Sequence, residues 1–218
     1  ESDNIFFFMR LASIIPYRIM PPDNGGKISL YEESVELERQ CEAYACAALC
    51  TLKERFVPIA PPPFRYYEMP AAASLLLLLD RPGLLTSLPY LWSMRFYAAR
   101  MARIALSVKP DLIQVAFPWM MRIRKWIPAS IPVVLQTHNV EALWQIPFIE
   151  KSRYPRRLSA WIRRMEAEAA GLASHITCVS SGDRDFFIRE YGARPDRVTV
   201  LSRGADFAAA DLFLKQRA

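Results

Sequence analysis

Apolar residues in this chain come in short runs, separated by polar and proline-bearing stretches. Ile5 to Met9 reads Ile-Phe-Phe-Phe-Met and predicts a first strand. Arg10 to Pro22 follows, with prolines at 16, 21 and 22, and reads as a loop. Asp23-Asn-Gly-Gly-Lys27 then opens a helical pattern, with Ile28, Tyr31 and Val35 on one face and Glu32, Glu33, Glu36 and Glu38 around the rest. Ala43 to Leu52 fits a second strand or a helical continuation equally well. Phe56 to Ala60, closed by Pro61-Pro62-Pro63, predicts a strand. From Tyr66 to Val108 the spacing is helical, with Leu75 to Leu79 apolar all round and Trp92, Phe96 and Ala99 continuing the stripe.

The second half alternates more regularly. Leu112 to Phe117 predicts a buried strand, and Pro118 to Ile127 a short helix carrying Trp119, Arg122, Arg124, Lys125 and Trp126. Pro132 to Gln136 is a β-branched apolar run, the signature of a strand covered on both faces. Arg153 to Leu172 predicts a long basic helix, and His175 to Val179 another strand. Ser180-Ser-Gly-Asp183 caps a helix over Arg184 to Tyr191, which Gly192 stops. Arg197 to Leu201 is the last strand. Strands alternating with helices in this way predict an α/β domain: a Rossmann-like, doubly wound and mostly parallel sheet flanked by helices. With no break in composition, residues 1–206 form one domain and 207–218 a linker or frayed helical tail.

Composition narrows the class. The chain has 218 residues, 52% of them hydrophobic and 23% charged, which suits a folded domain with a sizeable core. No run is long enough to span a bilayer: Ala71 to Leu79 ends at Asp80-Arg81-Pro82. Nor does a signal peptide stand at the start, where Glu1-Ser-Asp-Asn precedes the first apolar run. The net charge of +6 favours anionic partners. Basic residues are scattered over several elements without an aromatic stacking motif, so no nucleic-acid partner is expected. Basic and aromatic residues together, among them Arg95, Arg100, Arg103, Trp92, Phe96, Trp119 and Trp126, read either as core stripes with solvated arginines or as a weak contact with an anionic membrane. Cys41, Cys46, Cys50 and Cys178 form no Cys-x-x-Cys pair, and two histidines are too few for a zinc site. The cysteines read as reduced, as in a cytosolic protein.

Candidate chemistry concentrates in two places. The first is Gly25-Gly26-Lys27, at a predicted helix start in a chain with only 7 glycines. Free N–H groups and the helix dipole favour an anion there, and glycine lets a ligand approach; Asn-Gly-Gly is also ordinary turn chemistry. The loop lacks G-x-G-x-x-G spacing, which argues against a dinucleotide-dependent dehydrogenase. The second is Thr137, His138, Asn139 and Glu141. They follow the strand at Pro132 to Gln136, and ligands of open parallel sheets sit beyond the carboxyl ends of strands. A histidine there can exchange hydrogen bonds with a substrate, or simply close a loop on backbone.

The order of these pieces resembles the amino-terminal half of the family four glycosyltransferases of the GT-B fold, of bacterial envelope or exopolysaccharide flavour. The resembling residues are Pro21-Pro-Asp-Asn-Gly-Gly26, Lys109-Pro-Asp-Leu-Ile113, Pro132 to Glu141, Met165-Glu166 before Ala173-Ser-His-Ile176, Val179-Ser180, and Val198 to Asp206. They span nearly the whole chain. The resemblance implies a two-domain enzyme with a cleft between the domains. Its first domain binds a glycan or lipid-linked acceptor; its second, which these residues do not include, binds the nucleotide-sugar donor. It also implies that His138 is the catalytic-cleft residue, near the reacting sugar. Gly25 and Gly26 would lie near the donor diphosphate, with Lys27, Thr137, Asn139, Glu141, Ser180 and Gly204 as further binding positions. No cofactor and no metal are implied, and the site would work at the cytoplasmic face of the cell membrane. Ser202-Arg-Gly-Ala-Asp206 departs from the family's Pro-Asn-Gly-Val-Asp-like segment, so Arg203 carries no role. The competing expectation is a stand-alone, non-catalytic module that binds a glycan or a protein through the same crevice.

Overall fold

Residues 11–15 are all buried, although they alternate between the two faces of a strand. Ala12 and Ile14 enter one hydrophobic cluster, Leu11 and Ile15 another. The next strand repeats this, with Ala45, Ala47 and Leu49 on the first side and Tyr44, Cys46 and Ala48 on the second. Covering on both faces is what a parallel sheet between helical layers demands, and it is why these segments carry continuous apolar runs.

The computed structural model describes residues 9–70, 87–145, 149–150 and 155–201. Within them the order is β1 (Arg10–Ile15), α1 (Gly25–Gln40), β2 (Ala43–Cys50), α2 (Leu52–Arg55), β3 (Arg65–Pro70), α3 (Ser87–Leu106), β4 (Leu112–Ala116), a 3-10 helix (Pro118–Trp126), β5 (Val133–Gln136), α4 (Glu141–Trp144), α5 (Pro155–Leu172), β6 (His175–Cys178), α6 (Ser181–Tyr191), a short 3-10 turn (Pro195–Arg197) and β7 (Val198–Val200). The seven strands form one sheet in the order β3-β2-β1-β4-β5-β6-β7, and every neighbouring pair is parallel. The fold is the expected Rossmann-like α/β architecture. Helix α1 packs on one face through Leu30, and α3, the longer 3-10 helix, α5 and α6 supply the core of the other. The chain winds outwards from β1 to β3, then returns to β4 on the other side of β1. That reversal opens a crevice above the carboxyl ends of β1 and β4.

Three local expectations fail. The first described strand is Arg10–Ile15, inside the expected loop, while residues 5–8 of the strand expected at Ile5 to Met9 lie outside the described residues. Alanine and serine weakened the strand signal there. Pairing with β2 and β4 on both edges holds the segment, and Asp111 anchors its start by taking the Arg10 N–H at 2.9 Å and the guanidinium at 2.9 Å. Phe56 to Ala60 is not a strand: Phe56 is 81% exposed and no strand pairs with the segment. The strand lies beyond the prolines, at Arg65–Pro70, where a helix is expected. Its alternation is muted because β3 is at the edge of the described sheet and leaves Tyr67 exposed. Ala43–Cys50 resolves as a strand, and α3 is helical as expected. Residues 71–86, and all those after 201, lie outside the described residues.

Candidate functional site

A cleft of about 510 Å³ opens above the carboxyl ends of β1, β4 and β5. Its size suits a small-molecule site, for which the usual range is roughly 300–1,000 Å³. Three loops build it. The loop after β1 contributes Tyr17 and Asn24, the residue after β4 is Phe117, and the turn after β5 carries His138 and Asn139.

Aromatic rings form one wall. His138 lies face to face with Phe117, centroids 4.5 Å apart and planes 10° apart. Phe117 also stacks on Trp119 at 4.9 Å, and Tyr17 meets its edge at 5.7 Å. Such contacts contribute roughly 0.5–1.5 kcal/mol each beyond area burial. Phe117 has φ +73° and ψ 141°, a region that side-chain-bearing residues avoid. Its N–H donates to the Gln136 carbonyl at 3.1 Å. The strained backbone turns the ring out of the sheet and into the wall, between the two core clusters.

The start of α1 forms the opposite side. Asn24 caps the helix, its side-chain oxygen accepting from the Lys27 N–H at 3.1 Å. Lys27 Nζ is paired with Asp23 at 3.0 Å. A Cβ on Gly26 would stand 3.3 Å from the Tyr17 hydroxyl, whereas one on Gly25 would meet nothing within 4 Å. Gly26 therefore makes room for Tyr17 against the helix start. Behind this side, buried Arg18 fixes the loop. Its guanidinium donates to both Glu68 oxygens, at 2.6 and 2.9 Å, and to the carbonyls of Glu54 and Val57 at 2.6 and 3.1 Å. The hydrogen bond to Glu68 raises the Arg18 pKa further.

The third side is acidic and buried. Glu141 is 2% exposed and accepts from Gln145 Nε2 at 2.7 Å. Burial pushes its pKa up to about 7, with the nearby Glu166 charge adding to the shift. Glu166, 0% exposed, takes three donors: the N–H groups of Glu141 and Ala142 at 2.6 and 3.0 Å, and the Tyr191 hydroxyl at 2.7 Å. Burial raises its pKa too, against those hydrogen bonds. Glu141 thus titrates near neutrality, while the three donors around Glu166 favour its charged form against the burial that disfavours it.

The structure brings His138, Asn139, Glu141, Gly26 and Lys27 to one cleft. Gly25 stands beside it without lining it. Thr137 is elsewhere: its N–H and hydroxyl both donate to the Thr177 carbonyl, at 2.8 and 3.0 Å, tying the turn to β6. Ser180 caps α6 by accepting from the Asp183 N–H at 3.1 Å. Gly204 lies outside the described residues. Sequence reasoning overlooked Tyr17, Phe117, Gln145 and Glu54 in the lining, and the role of Glu166 behind it. Phe117 was within reach, since it follows β4 as His138 follows β5. Trp119, expected with the membrane-facing aromatics, is buried in the core, while Trp126 is 41% exposed. Among the described residues no cluster of histidine, cysteine and carboxylate side chains could hold a metal ion.

Solved structures sharing the fold include a sucrose-phosphate synthase from Thermosynechococcus elongatus, with TM-score 0.65 and 10% identity over 96% of this chain and 53% of that one. They include Anabaena HepE in complex with UDP, with TM-score 0.50 and 15% identity over 96% and 50% of the two chains. A third is Phytolacca americana UGT2, complexed with UDP-2fluoro-glucose and pterostilbene, with TM-score 0.54 and 11% identity over 95% and 57%. The chain spans about half the length of these structures. No curated protein sequence matches it. The profile of Glycosyltransferase Family 4 matches residues 53–209, which is most of the chain, and the chain belongs to that family.

Proposed function

We propose that this chain is the acceptor-side domain of a glycosyltransferase that moves a sugar from a nucleotide-sugar donor to a glycan or lipid-linked acceptor. The observation that carries the reading is the cleft itself. It lies at the reversal of strand order, with an aromatic wall on one side and hydrogen-bonding groups on the others. A sugar ring offers an apolar C–H face and a rim of hydroxyls, and this lining complements both. His138 and Asn139 exchange hydrogen bonds with the hydroxyls, and Glu141 donates one when protonated or accepts one when ionised. The donor would be held by a second α/β half, as the doubled length of the structural relatives suggests. In that arrangement the leaving diphosphate is met by helix dipoles and basic side chains, and no metal is required. The relatives crystallised with UDP or a UDP-sugar support a nucleotide-sugar donor.

The same reading puts the protein in the cytoplasm, at the inner face of the cell membrane. Exposed Arg122, Lys125 and Trp126 supply a basic, aromatic surface for a peripheral contact. Among the described residues no helix is long and apolar enough to cross a membrane.

The test is direct. Neutral glycans and lipid-linked acceptors, titrated into the chain, should perturb the NMR signals of His138. Incubation of the chain with nucleotide sugars and the same acceptors should release no nucleotide diphosphate above background. Turnover by these 218 residues would refute the two-domain reading. Indifference of His138 to every glycan would refute the cleft as the acceptor site.

A further inference from the structure

The turn that presents His138 is short and held at both ends. At its start, Thr137 donates twice to the Thr177 carbonyl of β6. At its end, the N–H groups of Glu141 and Ala142 point into the two carboxylate oxygens of Glu166, on α5. Only His138, Asn139 and Val140 lie between these anchors, and Val140 is buried. The second anchor is itself fixed by a third element, because the Tyr191 hydroxyl at the end of α6 donates to Glu166 Oε2 at 2.7 Å.

We infer that Glu166 is the positioning residue of the cleft: its buried carboxylate, clasped by Tyr191, holds the Glu141 and Ala142 amides and so sets His138 flat against Phe117.

A fully buried carboxylate is costly unless donors surround it. Three donors at 2.6 to 3.0 Å surround this one. Two of them belong to the first residues of α4, whose N–H groups have no partner within their own helix. An aliphatic side chain could fill the same space but could not fix the direction of those amides. Glu166 meets these amides from α5, 25 residues further along the chain than Glu141. The stack of His138 on Phe117 then follows from backbone held at both ends, and does not depend on a ligand. The inference rests on the glycan-site reading only in naming what the cleft is for.

The experiment uses the 218-residue chain with no ligand, so it stands or falls apart from that reading. With two histidines in the chain, the imidazole region of its NMR spectrum is simple. His138 ring protons, lying over the Phe117 face at 4.5 Å, should be displaced upfield. His175, bonded to Thr199 at 2.8 Å on the far side of β6, serves as the internal control. In Glu166→Gln one amide of α4 loses its acceptor, and the expected result is loss of the upfield displacement at His138 with His175 unmoved. Tyr191→Phe keeps the ring packing on Phe186 and Phe187 and removes only the hydroxyl. It should move His138 in the same direction by a smaller amount, and it decides the matter alone if Glu166→Gln fails to fold. Folded variants that melt earlier but keep His138 at its wild-type position would reduce Glu166 to a purely structural role and overturn the inference.

Discussion

The two loops that frame the cleft are held by opposite charges. After β1, the loop is fastened by a buried cation: Arg18 donates to Glu68 on β3, to the Glu54 carbonyl at the end of α2 and to the Val57 carbonyl just beyond it. After β5, the turn is fastened by a buried anion: Glu166 accepts from two N–H groups at the start of α4. Each sign suits the backbone groups it meets, since helix ends expose carbonyls and helix starts expose N–H groups. The difference lies in what pH does to them. A guanidinium keeps its charge at any pH of interest, and the Arg18 pKa is raised further. The second clasp sits beside Glu141, whose pKa is about 7. One frame of the site is therefore fixed and the other is tuned near neutrality.

The strongest way to break the first frame is Arg18→Ala. It leaves Glu68 and two carbonyls without their partner in a nearly closed environment. Removal of one member of a buried pair costs on the order of 3–5 kcal/mol. A urea titration should show the midpoint fall accordingly, equally at pH 6 and pH 8. A loss below about 1 kcal/mol would mean that the loop stands without its cation.

The second frame should respond to pH. The folded pKa of Glu141 is raised from 4.5 to about 7, so the folded state holds a proton that the unfolded chain releases between those values. The stability linked to this group is then fully present below pH 4.5 and lost as pH rises through 7. The shift corresponds to roughly 3 kcal/mol over the window. Glu141→Gln should flatten that decline, making the wild type and variant curves of unfolding free energy diverge between pH 5 and pH 8. The raised pKa of Glu166 acts in the same direction, and because the two carboxyl groups interact the divergence reports the pair with Glu141 as its larger part. Parallel curves would remove the coupling from the picture.

Much of this contrast was written in the chain, and the part that was not is instructive. The strands at Leu112–Ala116, Val133–Gln136 and His175–Cys178 are β-branched and apolar, so pattern alone located them. The polar turn after β5 followed from the rule that parallel sheets bind ligands beyond their carboxyl edge. Strand β1 was hidden because its alanine and serine owe their burial to neighbours far along the chain. The clasps were hidden for the same reason. Arg18 meets Glu68 across 50 residues and Glu166 meets Glu141 across 25. A buried charge has no local signature, since its partner is chosen by topology.

His138→Ala tests the wall that the second frame presents. The change removes a stack worth roughly 0.5–1.5 kcal/mol to stability. On the proposed function it also removes a polar contact to the acceptor, so acceptor affinity should fall by about tenfold, or ~1.4 kcal/mol. Melting temperature and affinity measured on one preparation separate the two effects. A large stability loss with unchanged affinity would make His138 a loop-packing residue.

The smallest expected effects concern the paired glycines of the first frame. Neither Gly25 nor Gly26 has a positive φ, so neither is required by backbone conformation. Both stand in the first turn of α1, and alanine at a site it fits gains roughly 0.4–1 kcal/mol by restricting the unfolded chain. Gly25→Ala meets empty space and should therefore raise stability by up to that amount. Gly26→Ala would bring its methyl group to 3.3 Å from the Tyr17 hydroxyl, which must give way and pull on the Phe117 edge contact. Its stability gain should be smaller or absent, and His138 signals should shift because Phe117 carries both rings. Gly25 does not line the cleft, so Gly25→Ala should stabilise the fold and leave glycan binding as it was; weakened binding would show that a ligand approaches the helix start at Gly25 itself.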